Sequence, residues 1–110
     1  MIEKELIVYM EQETTAGEKN SLVIDARDNV GIALTDLKVG DMCLVSIGNK
    51  VVQVELRDDV AFGHKFALKT FAKDESVYKY GEEIGKTTSS VPIGSWIHTH
   101  NMYCDRGLKE

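Results

Sequence analysis

Short apolar runs separated by polar turns dominate the chain, a pattern typical of a β-rich domain. The clearest run is residues 50–56, in which Val52, Val54 and Leu56 alternate with polar residues. Successive side chains of a strand point to opposite faces, so this period of two predicts a strand with one buried face. The Gly48-Asn49 pair that precedes it is typical of a hairpin turn.

The other apolar runs predict further strands and no long helix. No window of eleven or more residues repeats its apolar positions with the helical period of 3.6. The expected fold is therefore mainly β, in one domain. The charged stretch 25–29 is expected to be a turn and the polar stretch 11–20 a loop. The additional strands are expected at Leu6–Met10, Ser21–Ile24 and Val30–Leu34.

One local pattern, a turn residue followed by an apolar run, occurs three times. The turn residues are Gly40, Asp74 and Gly94. Their unequal spacing argues against a solenoid, and three strands that each begin after a tight turn account for the pattern. Asp74 stands where the other two turns have glycine, so this turn is expected to differ.

Composition narrows the possible functions. A chain of 110 residues makes one domain, and its net charge of −5 disfavours nucleic acid or an anionic membrane as the main partner. No apolar run is long enough to span a bilayer, and the acidic N-terminus is unlike a secretory signal. Two distant cysteines, Cys43 and Cys104, suggest a reducing compartment, so a cytoplasmic location is expected. Cys43, within an apolar run, is expected to be a small buried hydrophobe. A chain this short is also expected to need a partner subunit to close a catalytic pocket.

The three histidines are the main candidates for chemistry. His98 and His100 are two positions apart, so on a strand both imidazoles would project from one face. Such a pair suits a divalent metal or an anionic substrate, although simple surface polarity explains it as well. His64 lies in a Gly-His-Lys segment. This segment either presents a cation next to accessible backbone, which suits ligand binding, or is a solvated turn.

Two charged runs, residues 25–29 and 55–59, mix carboxylates with an arginine. Each could contact a metal or a substrate hydroxyl. Solvated turns with weak internal ion pairs explain them equally simply. The chain contains no P-loop, no dinucleotide-binding glycine motif and no CxxC ligand pair.

Four motifs occur in order along the chain: Asp-Asn-Val-Gly-Ile-Ala-Leu (28–34), Phe-Gly-His-Lys-Phe-Ala-Leu (62–68), Tyr-Gly-Glu-Glu-Ile-Gly (80–85) and Gly-Ser-Trp-Ile-His-Thr-His-Asn (94–101). Taken together, they resemble the SAF domain of altronate and galactarate dehydratases. The resemblance covers about residues 22–102 and implies a SAF-type β-clip fold of short bent strands and hairpins with little helix. It divides the chain into an N-terminal extension (1–20) with one strand, a SAF domain (21–103) and a C-terminal tail (104–110).

The resemblance implies a sugar-acid hydro-lyase that removes water from an aldonate or aldarate with the help of a divalent metal, commonly iron. In the single-chain members of the family, a large catalytic domain follows the SAF domain, whereas this chain stops nine residues after Asn101. It is therefore expected to be a small subunit that is inactive alone and able to form a homo-oligomer in isolation. Its large partner is expected to carry most catalytic groups and the metal. Two alternatives stay open. One is the small subunit of a sulfolactate sulfo-lyase, and the other is a non-catalytic sugar-acid-binding or assembly module.

The resemblance also implies roles for individual residues. His64, His98 and His100 are expected to be catalytic, and His98 and His100 also to be metal ligands. A structural turn explains Asp28 and Asn29 nearly as well as substrate binding does. The residues expected to bind substrate are Lys65, Asn101, Asp28 and Asn29.

Overall fold

The computed structural model describes residues 20–104, and within this range the chain forms short strands and no helix. The mainly β architecture predicted from the sequence is confirmed. No helix in these residues could span a membrane. The strands are β1 (Ser21–Leu22), β2 (Val30–Ala33), β3 (Met42–Ile47), β4 (Lys50–Glu55), β5 (Lys65–Ala67), β6 (Ser76–Lys79), β7 (Glu82–Thr87), β8 (Trp96–Ile97) and β9 (Met102–Tyr103).

Two of the four predicted strands are confirmed within one residue at each end. β4 follows the alternating run, the Gly48-Asn49 turn joins it to β3, and β2 follows its apolar run. β1 is shorter than predicted because the chain turns early: the backbone N–H of Asp25 donates to the Asp28 carboxylate at 3.1 Å. The predicted strand at Leu6–Met10 lies outside the described residues.

The strands form three antiparallel sheets. The largest has the order β8-β5-β2-β1, the second has the order β9-β7-β6, and the hairpin β3-β4 forms the third. In the largest sheet, β5 lies between β2 and β8, so residues far apart in the sequence become neighbours. In particular, Trp96 on β8 pairs with Phe66 on β5.

Two apolar clusters form the core, one on each face of the largest sheet. Phe66 belongs to the first cluster and its neighbour Ala67 to the second, as strand alternation requires. Cys43 is fully buried in the first cluster, so it is the small buried hydrophobe that the sequence predicts, and burial raises the pKa of its thiol. The first cluster contains Ala33, Leu37, Cys43, Val45, Val54, Leu56, Val60, Phe66 and Leu68. The second contains Val30, Ala67, Phe71, Val77, Val91 and Ile97.

Four tight turns lead into strands, one more than the sequence analysis identified. In each, a residue with positive φ lies two positions before the strand: Gly40 (91°), Gly63 (82°), Asp74 (63°) and Gly94 (89°). The expectation that the Asp74 turn differs is wrong, because Asp74 adopts the same left-handed conformation as the glycines. Aspartate is one of the few residues other than glycine that reach this region readily. The Tyr103 hydroxyl also donates to the Asp74 carboxylate at 3.0 Å.

The four turns group into two similar units, residues 33–64 and residues 67–95. Each unit holds one hairpin and a single β-bridge between its two turns, Leu37 with Val60 and Phe71 with Val91. In each unit the positive-φ glycine of the closing turn donates to the carbonyl of an alanine on the opening strand, and the residue after that glycine accepts from the same alanine. In the first unit, the Gly63 N–H lies 2.8 Å from the Ala33 carbonyl, and the Ala33 N–H lies 2.9 Å from the His64 carbonyl. In the second unit, the corresponding distances, Gly94 N–H to Ala67 carbonyl and Ala67 N–H to Ser95 carbonyl, are both 2.9 Å.

Candidate functional site

Strand pairing in the largest sheet brings His64 close to Trp96. His64 precedes β5 directly and lies two residues before Phe66, the residue that pairs with Trp96. Positions two apart share a face of a strand, so His64 and Trp96 project from the same side. Their ring centroids are 5.7 Å apart, with 26° between the planes. Two segments that are 32 positions apart in the sequence thus form one aromatic pair.

The two remaining histidines complete this site. The His98 ring lies 5.3 Å from the Trp96 ring, with 10° between the planes, and 5.4 Å from the His64 ring. The His100 ring lies 4.9 Å from Trp96 at a steeper angle of 40°. The structure therefore brings together all three predicted histidines, with an indole in contact with each. We call His64, Trp96, His98 and His100 the ring cluster.

The segment that carries His98 and His100 is a turn. β8 ends at Ile97, so the expectation that both histidines project from one strand face is wrong. The side chain of Asn101 closes the turn: its Oδ1 accepts the His98 N–H at 3.0 Å, and its Nδ2 donates to the Trp96 carbonyl at 2.9 Å. The Asn101 N–H also donates to the His98 carbonyl at 3.1 Å. Asn101 therefore fixes the path of the chain that presents both histidines.

Lys65 adds a cation beside the ring cluster. Its side chain is half-buried, and this burial, with a smaller effect of Lys79, lowers the pKa of its ammonium group. A partly desolvated ammonium gains more from an anionic partner than a fully hydrated one does. The substrate role of Lys65 stays a prediction.

The electrostatic environment of His98 is positive. Its pKa lies below the ordinary histidine value, first because of burial and then because of repulsion from Lys65, His64 and His100. The charged side chains that shift this pKa, those of Lys65, His64 and His100, are all cationic when protonated. One nearby carboxylate, that of Asp58, accepts the backbone N–H of Trp96 at 2.9 Å. In a chain whose net charge is −5, this local excess of positive groups favours an anionic ligand.

The described residues do not fit a complete metal centre. Residues 20–104 contain no group of three or more His, Cys, Asp or Glu side chains placed to hold a metal ion. The His64 and His98 ring centroids lie 5.4 Å apart, with 21° between their planes. Two imidazoles are too few ligands for a complete site. The metal role expected for His98 and His100 stays a prediction that would need ligands from elsewhere.

Asp28 and Asn29 have structural partners. The buried Asp28 carboxylate accepts the backbone N–H of Gly81 at 2.8 Å, besides that of Asp25. The Asn29 side chain donates to the Ser76 carbonyl at 3.0 Å and accepts the Tyr78 N–H at 2.8 Å. These contacts attach the loop before β2 to the β6–β7 hairpin. They favour the structural-turn alternative, and the substrate role of both residues stays a prediction.

The charged run at residues 25–29 also forms an internal ion pair. Arg27 Nε lies 3.2 Å from Asp25 Oδ1, and the Arg27 side chain keeps most of its solvent exposure. An ion pair of this kind contributes little to stability. In the run at residues 55–59, the Asp59 carboxylate accepts the backbone N–H of Val39 at 2.9 Å. Both runs therefore have structural explanations.

Trp96 is the site residue that the sequence reasoning missed. Its motif was recognised, but no role was given to the indole. The available signal was its place in the same motif, two residues before His98. Two polar ring atoms of the cluster, His64 Nδ1 and Trp96 Nε1, are buried without a hydrogen-bond partner in the described part of the chain. Such atoms are uncommon in folded proteins and mark this place as unusual.

Comparison with known proteins identifies the relatives of this chain. Residues 19–105 match the family described as the altronate/galactarate dehydratase SAF domain. The chain is 47% identical over 78 residues to the altronate dehydratase of Escherichia coli and 39% identical over 83 residues to that of Bacillus subtilis. It is also 34% identical over 88 residues to the (2R)-sulfolactate sulfo-lyase subunit alpha of Chromohalobacter salexigens.

The matched lengths differ between these relatives. The alignments cover 71% and 76% of this chain but only 15% and 16% of the two altronate dehydratases. The alignment with the sulfo-lyase subunit covers 77% of this chain and 94% of that subunit. The same unit thus occurs as a small part of a large enzyme and as nearly the whole of a separate subunit.

Proposed function

Because this chain belongs to the altronate/galactarate dehydratase SAF domain family, we propose that it is the small subunit of a lyase acting on a hydroxylated carboxylic acid. In this proposal a large subunit carries the main catalytic groups, and water leaves from an aldonate or aldarate to give a 2-keto-3-deoxy acid. The observation that carries the proposal is the ring cluster beside Lys65, where positive groups collect on one side of a chain of negative net charge.

The cationic groups suit the carboxylate of such a substrate. The Lys65 ammonium would bind it through a charge-assisted hydrogen bond. Binding would also relieve the repulsion between Lys65 and His98 that lowers the pKa of His98. The substrate would thereby be held by its carboxylate, with the adjacent carbon near the histidines.

The lowered pKa of His98 suits a base in this elimination. More of its imidazole is neutral near neutral pH than in an ordinary histidine, and only the neutral ring accepts a proton. The base takes the proton from the carbon next to the carboxylate, and the electron pair of that C–H bond forms the new double bond. The C–O bond of the neighbouring hydroxyl then breaks, and with one proton this hydroxyl leaves as water. The resulting enol becomes the 2-keto acid.

The exposed position of the site supports the need for a partner. His98 and His100 are both exposed, so this chain alone leaves them in contact with water. Exclusion of water strengthens the electrostatic contacts on which elimination depends. A large subunit that covers the ring cluster would supply this exclusion. The divalent metal expected for the family, iron by our proposal, would then be bound mainly by that subunit.

A sulfo-lyase is the second candidate. The match to the sulfo-lyase subunit covers 94% of that subunit, so this relative is a separate small chain of similar extent. The chemistry differs only in the leaving group, which would be sulfite instead of water. The same carboxylate-binding groups serve either substrate.

Purification of the tagged full chain from its native cells tests the proposal. We expect a large subunit to co-purify, and the complex to convert altronate, galactarate or sulfolactate. In that complex, His98→Gln and His64→Gln should each lower kcat/KM by about 10²- to 10⁴-fold, the usual range for an acid–base group. Lys50→Gln, on the exposed end of the β3–β4 hairpin, is the matched control and should leave turnover unchanged. Full turnover in both histidine variants would exclude a catalytic role for this site.

A further inference from the structure

We propose that Trp96 is the positioning residue of this site: its indole is the platform on which His64, His98 and His100 are held in place. This inference rests on the proposed function for its effect on turnover, although the platform itself is a property of this chain alone. It assigns to Trp96 a role that neither the family resemblance nor the sequence motifs provide.

The indole is the common neighbour of all three imidazoles. Its ring centroid lies 5.7 Å from that of His64, 5.3 Å from that of His98 and 4.9 Å from that of His100. These distances are in the range of favourable aromatic pairs. A histidine that is otherwise exposed, such as His98 or His100, gains from this contact a preferred orientation that solvent would not give it.

The backbone of Trp96 is fixed on both sides. Its N–H donates to the Asp58 carboxylate at 2.9 Å, and its carbonyl accepts from Asn101 Nδ2 at 2.9 Å. The pairing of Trp96 with Phe66 places the indole against the first core cluster, where it is partly buried. The platform is therefore rigid, whereas the histidines of the following turn depend on it.

Two features distinguish a platform from a residue that only fills the core. The indole keeps part of its surface outside the core and presents that surface to the imidazoles. Its Nε1 is buried without a partner in the described residues, a cost that an aliphatic side chain at the same position would avoid. An aliphatic residue at this position would not supply the ring contacts with the three histidines.

The platform has a spectroscopic signature in the full 110-residue chain. An indole ring current shifts the imidazole C–H resonances of a stacked histidine upfield in NMR spectra. We expect upfield shifts for His98 and His100 in the unmodified chain. In Trp96→Phe the shifts should become smaller, and in Trp96→Leu they should disappear. Histidine shifts that are the same in all three proteins would overturn the platform.

Folding of the variants is checked in the same samples. The amide spectrum outside residues near the cluster should stay unchanged in Trp96→Phe, which keeps an aromatic ring at the position. If Trp96→Leu loses its dispersed spectrum, the comparison of Trp96→Phe with the unmodified chain still decides the question. Thr99→Ala, an exposed change in the same turn, is the matched control and should keep the ring-current shifts.

Turnover in the complex with the large subunit gives the second measurement. Small displacements of reacting groups are costly, so Trp96→Leu should lower kcat by about 10- to 100-fold, and Trp96→Phe should recover most of the loss. If the NMR shifts follow the expected order but His98→Gln keeps full turnover, the proposed function fails and the platform stands. If His98→Gln loses turnover but the shifts do not depend on Trp96, the platform fails and the proposed function stands.

Discussion

The imidazole of His98 lies almost parallel to the indole of Trp96, with ring centroids 5.3 Å apart and 10° between the planes. The pair is formed across the end of β8, where the strand stops and a turn closed by Asn101 begins. Stacking, partial burial and cationic neighbours thus act on the same imidazole. The protonation of His98 is therefore the property of this site that is most directly accessible to measurement.

The stability of the chain should decrease as pH falls through the range in which histidine titrates. The pKa of His98 is lower in the folded chain than in the unfolded chain, so the unfolded chain binds its proton first. Stability falls with falling pH wherever the unfolded state binds more protons. The loss should begin near the ordinary histidine pKa of about 6.5 and be complete below the lowered pKa. Urea denaturation at several pH values measures it.

The control for this pH dependence is His98→Gln, which keeps a polar side chain but does not titrate. In this variant the decrease in unfolding free energy between about pH 7 and pH 5 should be smaller than in the unmodified chain. An identical decrease in both proteins would show that His98 does not carry the effect.

Replacement of Lys65 should separate stability from ligand binding. The pKa of Lys65 is lowered chiefly by burial, so at neutral pH the charged group costs folding free energy. In Lys65→Met the side chain keeps a similar length and loses this cost, so we expect a higher urea midpoint. The same change should weaken binding of a sugar acid to the complex with the large subunit. A lower urea midpoint in Lys65→Met would show that the buried charge of Lys65 does not destabilise the folded chain.

Gly94 and Gly40 should respond differently to alanine. Their φ angles are 89° and 91°, so both substitutions carry the same backbone cost of about 1 to 2 kcal/mol. A Cβ at Gly94 would overlap the carbonyl oxygen of Glu55, whereas a Cβ at Gly40 meets no atom within 4 Å among the described residues. Gly94→Ala should therefore lose about 1 to 3 kcal/mol more than Gly40→Ala in urea denaturation. Equal losses of unfolding free energy in the two variants would mean that β4 moves away from the new Cβ without cost.

Asp74 should tolerate glycine and reject a β-branched residue. Its φ of 63° lies in the left-handed region, which strains most side chains. Asp74→Val should lower the unfolding free energy by about 2 kcal/mol, and Asp74→Gly should change it by at most about 1 kcal/mol. Tyr103→Phe measures separately the hydrogen bond from Tyr103 to Asp74. A valine variant as stable as the glycine variant would argue against left-handed strain.

The elements that the sequence predicted are those set by local pattern. The alternation around Val54 gives β4, the Gly48-Asn49 pair gives its hairpin, and the apolar surroundings of Cys43 give its burial. The histidines were recognised as a group through the family motifs. Each of these features depends on residues that are close together in the chain or on a motif that can be read directly.

The features that escaped prediction depend on long-range contacts. The contact between His64 and Trp96 requires β5 and β8 to pair, and no local pattern specifies that pairing. The segment with His98 and His100 was expected to lie on a strand, but the two side-chain hydrogen bonds of Asn101 close a turn there instead. The turn at Asp74 was expected to differ because left-handed backbone favours glycine. Aspartate also adopts that conformation, so the turn is the same.

The two similar units of the fold contain one site because equivalent positions carry different chemistry. His64 and Ser95 follow the closing glycine of their respective units and bond to the opening strand in the same way. Only the first of these positions carries an imidazole, and the indole that faces it comes directly after the second. If the domain arose by duplication of one ancestral hairpin unit, the ring cluster could not have existed in the single copy. It would have formed only after the two copies had joined and their equivalent residues had diverged.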